Sequence, residues 1–346
     1  MSLIYNATFD SQTRVLSLLD KAGNVISSCE VPSKELVDDI AKPLTFKATQ
    51  DGSTVKLTKN GSPSGDFQTS NDGGNTWVDY TLNTAITLNT GEEVSFRAKA
   101  DRTSGQNYQN YFQFMMEGKI EARHNVMSLY RTSDFATYES VVNYAFYMLF
   151  RGCISLTKAP ALPATTLADH CYYWMFRGCA SLTEAPALPA TTLDTNCYIG
   201  MFNGCDSLTK APALPVTTLA DGCYFGMFYN CASLAEAPAL PATRLEYQCY
   251  REMFSGCASL TKAPALPATA LDRECYYDMF NGCSKLKEVR ISATKSLTDA
   301  LRNWLSGVSA TGDFYCDPNA TIFPSGASGI PKNWTRRNIA DYPTTP

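Results

Sequence analysis

One sentence of amino acids is written several times in this chain, and that repetition limits its fold more than any other feature. MFRGCASLTEAPALPATTL begins at Met175, and near-copies begin at Met201, Met227 and Met253. Cys153, Cys179, Cys205, Cys231, Cys257 and Cys283 recur every 26 residues. Cys171, Cys197, Cys223, Cys249 and Cys275 form a second series at the same interval. A fixed period of roughly 20–50 residues marks a solenoid, propeller or array. A single copy cannot bury its own apolar face, whereas stacked neighbours can.

Each copy predicts one coil. The half CYxxMFxGC places Cys171, Met175, Phe176 and Cys179 at i, i+4, i+5 and i+8, an apolar helical stripe. Asp169, Asp194, Asp221 and Asp272 precede the stripe and suit helix N-caps. Gly178, Gly204, Gly256 and Gly282 follow it and suit C-caps. The half SLTEAPAL alternates until Pro189 stops it, as a short strand would. Strands about 4.8 Å apart would make six coils a rod roughly 30 Å long. Its interior ladders would be the cysteines, the Met-Phe pairs and Leu182, Leu188, Leu193 and their equivalents. Cysteine in such a register reads as a small core hydrophobe. Ala145 stands at the cysteine place of the first coil, which fits packing. Zinc fits poorly, because Cys-x7-Cys is not a usual ligand spacing and no histidine recurs beside it. Disulfides between stacked coils are the remaining alternative.

The string SLTxAPALPATTLxxxCYxxMFxGC, over about residues 140–290, resembles the BspA-type branch of leucine-rich repeats. Such repeats are frequent in surface proteins of gut Bacteroidales and in structural proteins of the phages that infect them. The resemblance implies a right-handed α/β solenoid with a binding or adhesive role. It brings no catalytic residues and no cofactor.

The flanks read differently. In residues 1–33, Ile4–Phe9, Arg14–Leu19 and Val25–Val31 alternate as a β-hairpin would, and Ser33–Ile40 reads as a helical linker. Residues 43–124 read as an Ig-like β-sandwich, with strands at Leu44–Ala48, Thr54–Thr58, Trp77–Tyr80, Ala85–Leu88 and Val94–Ala98. Ser70–Trp77 reads as a Gly-rich turn, with a calcium loop as the alternative. Tyr108, Tyr111, Phe112 and Phe114 cluster as buried sheet or, alternatively, as a sugar-stacking platform. After the repeats, Glu288–Ile291 reads as a last strand and Leu297–Leu305 as a short helix in a polar, Pro-rich cap. The expected fold is thus multidomain: an all-β anchor and linker (1–42), an Ig-like sandwich (43–124), a 26-residue-period leucine-rich-repeat solenoid (125–290) and a C-terminal cap (291–346).

Function is bounded by what is present. The 346 residues are 45% hydrophobic and 18% charged with net charge −4, a balance without a general pull on nucleic acid or anionic lipid. No apolar run approaches the roughly 18 residues of a membrane span. The start, MSLIYNATFDSQ, shows no basic stretch leading an apolar core, so the reading places folding in a cytoplasm. The odd count of 13 cysteines agrees. Of two histidines, only His170 lies in the repeat, where other copies carry Asn196, Gly222, Gln248 and Glu274; it reads as a surface residue. No nucleophile, metal or phosphate motif is recognisable. The chain reads as non-enzymatic, with no cofactor and no metal.

Differences among copies mark positions the scaffold does not dictate. The candidate binding surface comprises Tyr173, Trp174, Arg177, Tyr198, Ile199, Asn203, Phe225, Tyr229, Tyr247, Arg251, Glu252, Arg273, Tyr277 and Asp278. Several are aromatic or charged, the types recognition favours. The expected function is a phage virion structural protein of fibre, decoration or receptor-binding type; the alternative is a BspA-type bacterial surface adhesin. Expected partners are other virion proteins through the N-terminal region, a host surface glycan or protein through the solenoid, and further copies of the chain.

Overall fold

Alternating runs become strands in the first third of the chain. A computed structural model describes residues 6–10, 15–19, 25–30, 40–103 and 106–342. The strands β1 (Asn6–Asp10), β2 (Val15–Leu19) and β3 (Val25–Glu30) pair antiparallel as a three-stranded meander, one strand more than a hairpin. The helical linker expected over Ser33–Ile40 lies outside the described residues except at Ile40.

Eight strands follow: β4 (Thr45–Ala48), β5 (Ser53–Asn60), β6 (Phe67–Ser70), β7 (Val78–Tyr80), β8 (Ile86–Leu88), β9 (Glu93–Ala98), β10 (Tyr111–Glu117) and β11 (Ile120–Arg123). They build a three-stranded sheet, β10-β5-β8, and a larger sheet, β11-β4-β9-β6-β7, extended at its β11 edge by β12 (Leu156–Lys158) from the first repeat. The two meet face to face through aromatic rings. Phe46 lies 4.7 Å from Phe114, Phe67 4.8 Å from Phe112, and Phe96 5.3 Å from Phe114. The expected aromatic cluster is therefore divided: Phe112 and Phe114 are core, while Tyr108 is 65% exposed. Between β6 and β7 the Asp72 carboxylate accepts from the Thr76 hydroxyl, the backbone N–H groups of Asn75 and Thr76, and the Ser70 hydroxyl. Those bonds form the Ser70–Trp77 turn.

The repeats contain no helix at the expected place. Each CYxxMFxGC segment is instead a train of tight turns whose N–H groups alternate in direction. Tyr173, Met175, Arg177 and Cys179 donate to the carbonyls three residues back, at 3.0–3.3 Å. Tyr172, Trp174, Phe176 and Gly178 donate forward to Cys197, Ile199, Met201 and Asn203 of the next copy, at 2.7–3.0 Å. Such alternation needs the left-handed region every fourth residue: His170, Trp174 and Gly178 have φ of 53°, 51° and 75°. A right-handed helix cannot pass through those values. The expected caps take other roles. Gly178, Gly204, Gly256 and Gly282 close turns with positive φ, and the Asp194 and Asp272 carboxylates accept from the next backbone N–H.

The expected strand is also shorter. Parallel bridges join Glu184 to Lys210, Lys210 to Glu236 and Lys262 to Glu288, one residue wide. Pro186 and Pro189 and their equivalents lack the N–H groups that would widen them.

Copy stacks on copy with little deviation. Phe150, Phe176, Phe202, Phe228, Phe254 and Phe280 form a ring column with centroid separations of 5.4–5.7 Å and interplanar angles of 1–6°. Tyr172, Tyr198, Tyr224, Tyr250 and Tyr276 form a second at 5.7–6.1 Å. The repeated cysteines are buried in the same core. The Cys179 thiol donates to the Phe150 carbonyl at 3.1 Å, and Cys205, Cys231, Cys257 and Cys283 repeat that bond on the preceding copies. The twelve cysteines from Cys153 to Cys316 are buried and unpaired.

The stack starts on the sandwich. Phe114 of β10 takes the place of a Phe in a preceding copy: it lies 5.4 Å from Phe150 at 12°, and its carbonyl accepts the Cys153 thiol. Its N–H donates to Leu149, as that of Phe150 does to Met175. β11 pairs in parallel with β12, Ile120 opposite Leu156. One continuous core runs through both regions.

The far end closes differently from expectation. Leu297–Leu305 is another train of turns, not a helix. Tyr276, Asp278, Phe280 and Gly282 donate to Ala300, Arg302, Trp304 and Ser306, a further copy with Ala300 at the place of Cys275. β13 (Ala270–Leu271) pairs with β15 (Lys295–Ser296). The strand expected at Glu288–Ile291 forms as β14 (Glu288–Arg290), parallel to β16 (Gly312–Cys316), which is parallel to β17 (Trp334–Asn338). Trp304, Phe314 and Phe323 end the ring columns. Two indoles are anchored here, Trp304 donating to the Gly329 carbonyl and Trp334 to that of Ser309. Among the described residues no helix is long and apolar enough to cross a membrane.

Candidate binding surface

The turn trains line one side of the stack, and their outward positions form columns. Forward hydrogen bonds from Trp174, Gly200, Gly226 and Glu252 put Ile199, Phe225, Arg251 and Tyr277 in line behind Tyr173. Trp174, Glu252 and Asp278 share the adjacent, positive-φ column with Gly200 and Gly226. Arg177, Asn203 and Tyr229 share a third, and Tyr247 and Arg273 lie at the turn entering their copies. All thirteen are partly or fully exposed. Tyr198 is not: it is 1% exposed, because it belongs to the internal tyrosine column. Its place on the expected surface is corrected accordingly.

The columns differ in charge from end to end. Near the C-terminal end, Arg251 pairs with Glu252 at 3.2 Å and Glu274 at 2.5 Å, and Arg273 with Glu274 at 3.9 Å. Arg251 stacks 4.2 Å over the Tyr277 ring and Arg273 4.8 Å over Tyr247. The Gln248 amide and the Arg251 guanidinium together hold the Glu274 carboxyl below its ordinary range, against partial burial. This end is internally neutralised.

The end beside the sandwich is aromatic and cationic. Tyr144 stacks on His170 at 4.7 Å, Tyr147 on Tyr173 at 5.1 Å, and Tyr173 leans on Trp174 at 4.7 Å. Arg177 and Arg151 lie 4.3 and 5.5 Å from the Trp174 ring. His170, read from sequence as a surface residue, is ring-stacked and hydrogen-bonded through Nδ1 to Asp169 at 2.6 Å. Tyr144, Tyr147 and Arg151 belong to a first copy that carries Ala145 in place of the leading cysteine, so the signature does not mark them. Their spacing of 26 from His170, Tyr173 and Arg177 was the available signal.

A second overlooked pattern runs along the bridge positions. Glu121, Lys158, Glu184, Lys210, Glu236, Lys262 and Glu288 alternate in sign from copy to copy. Lys262 and Glu288 close to 2.8 Å. Like charges facing each other across a sheet are destabilising, so the alternation favours the observed register.

The thiols are poor nucleophiles. Burial pushes Cys153, Cys171, Cys223, Cys231, Cys275 and Cys283 up to about 12. Among the described residues no group of three His, Cys, Asp or Glu is placed to hold a metal ion. The chain matches no family model, no curated protein and no solved structure.

Proposed function

We propose that this chain is a non-enzymatic virion structural protein of a phage, presenting a leucine-rich-repeat-type solenoid as a binding surface. The turn-built stack corresponds in this reading to the solenoid that the BspA-type resemblance implies, and the two-sheet unit to its Ig-like mount. The observation that carries the reading is the division of labour within each copy. Cys, Met, Phe and Leu are spent on ladders inside a continuous core, and the outward turn positions vary freely in a fixed frame. A rigid frame with variable, aromatic and charged outer positions suits recognition. Unpaired buried thiols support assembly in a reducing cytoplasm, where virions are built.

Electron microscopy of the native source with labelled antibody against the chain tests the reading. Label on virus particles is the expected result. Label on bacterial envelopes with bare particles would overturn it in favour of a surface adhesin.

A further inference from the structure

The sandwich-proximal end of the turn face holds a pair of like charges with, among the described residues, no carboxylate beside either of them. Arg151 and Arg177 occupy the same place in adjacent copies, linked by the Gly152 N–H bond to the Arg177 carbonyl at 2.7 Å. Both guanidinium groups lie against one indole, that of Trp174. The indole is itself fixed. It rests against Gly200, where an added Cβ would stand 2.6 Å from it. Among the described residues neither arginine has a carboxylate within 4 Å, whereas on the same face Arg251 has two and Arg273 has one. Two cations held side by side repel each other, and a shared anion relieves that.

Three features narrow the anion. The arginine fork matches a carboxylate through two parallel N–H bonds. The flanking side chains, Tyr144 and Tyr173, are half-buried and offer amphipathic edges to a hydroxylated ligand. Beside Arg151 a concavity of about 500 Å³ opens toward the sandwich, lined also by Lys56, Gln113 and Glu117. We propose that the Arg151–Arg177 pair is an anion site that takes a carboxylate of an acidic polysaccharide. The proposal rests on the reading of the turn face as a binding surface.

Titration calorimetry of the full chain with polygalacturonate, its methyl-esterified form and a single-stranded oligonucleotide tests it. The acid is expected to bind with an affinity that falls as salt rises, and the ester at least tenfold more weakly. R151Q/R177Q should abolish the preference for the acid. R151K/R177K, which keeps charge but not the fork, should lose most of it. K285Q/K287Q, of equal charge change away from this face, should keep it. Thermal melts confirm that each variant folds. No binding of the acid, unchanged binding by R151Q/R177Q, or equal binding of the oligonucleotide would overturn the proposal. If the ester binds as tightly as the acid, and Phe225→Ala weakens both, the arginine pair is not the anion site but the face still binds. If no binding depends on any turn-face residue, both readings fall.

Discussion

Phe202 tests how much one rung contributes to the stack. It is fully buried in the middle of the phenylalanine column, 5.6 Å from Phe176 and 5.7 Å from Phe228, nearly parallel to both. Phe202→Ala removes the ring and leaves a gap between two rings that their own copies hold in place. Neither neighbour can move in without breaking its forward hydrogen bond, so little collapse is expected. Such substitutions cost about 3–5 kcal/mol. Phe202→Leu keeps most of the apolar volume, loses both ring contacts and should cost about 1–2 kcal/mol. Stability in a linear array is a sum of unit and interface terms, so a weak central interface should also divide unfolding into two steps. The assay is urea unfolding followed by fluorescence, with Trp304 and Trp334 reporting the C-terminal end and Trp77 the sandwich. In Phe202→Ala the C-terminal indoles should lose structure at lower urea than Trp77. A loss below about 1 kcal/mol, with all indoles in one transition, would refute a rigid, mutually supported column.

Three further outcomes follow from the geometry. Gly200→Ala should destabilise by about 1–2 kcal/mol, because φ is +53° there, and should shift the Trp174 emission, because the new Cβ meets its indole. Lys210→Glu sets three carboxylates in a row with Glu184 and Glu236; melting should show a loss of about 0.5–1 kcal/mol that high salt reverses. Alkali should unfold the protein steeply. The folded thiols are pushed up to about 12 at six positions, against about 8.5 in an unfolded chain. Their contribution is fully present below about pH 8.5 and is lost as pH rises toward 12, by about 1.4 kcal/mol per pH unit for each thiol. Circular dichroism should show cooperative loss between about pH 9 and 11, and native spectra at pH 11.5 would contradict it.

Much of this organisation is legible in the residues. The period marks each copy, and the invariant Cys, Met, Phe and Leu are the buried ones. The local backbone is harder to read, because the stripe i, i+4, i+5, i+8 suits a helix and a train of turns equally. The clue lay in the outer columns. Asn196, Gly222, Gly200 and Gly226 stand where other copies carry His170, Gln248 and Trp174, and glycine or asparagine there tolerates positive φ. Tyr198 belongs inside, because the tyrosine at its place recurs in each copy that carries the leading cysteine while its neighbours vary. The closing copy at Leu297–Leu305 carries none of the signature cysteines, so only its hydrogen bonds reveal it. The junction with the sandwich depends on contacts distant in sequence, Phe114 with Phe150 and Ile120 with Leu156, which no local pattern announces.

The central claim is that 26 residues make one interchangeable rung, and removal of a rung tests it most directly. Deleting residues 197–222 joins Asn196 to Cys223 in the same register. Deleting 197–248 removes two rungs and also preserves the charge alternation, setting Glu184 beside Lys262. Both chains should fold cooperatively, the second without the like-charge penalty of the first. Scattering should show each shorter by about 5 Å per rung. A deletion of half a rung should not fold. Unfolded products from both whole-rung deletions, or a half-rung deletion tolerated equally well, would contradict the account.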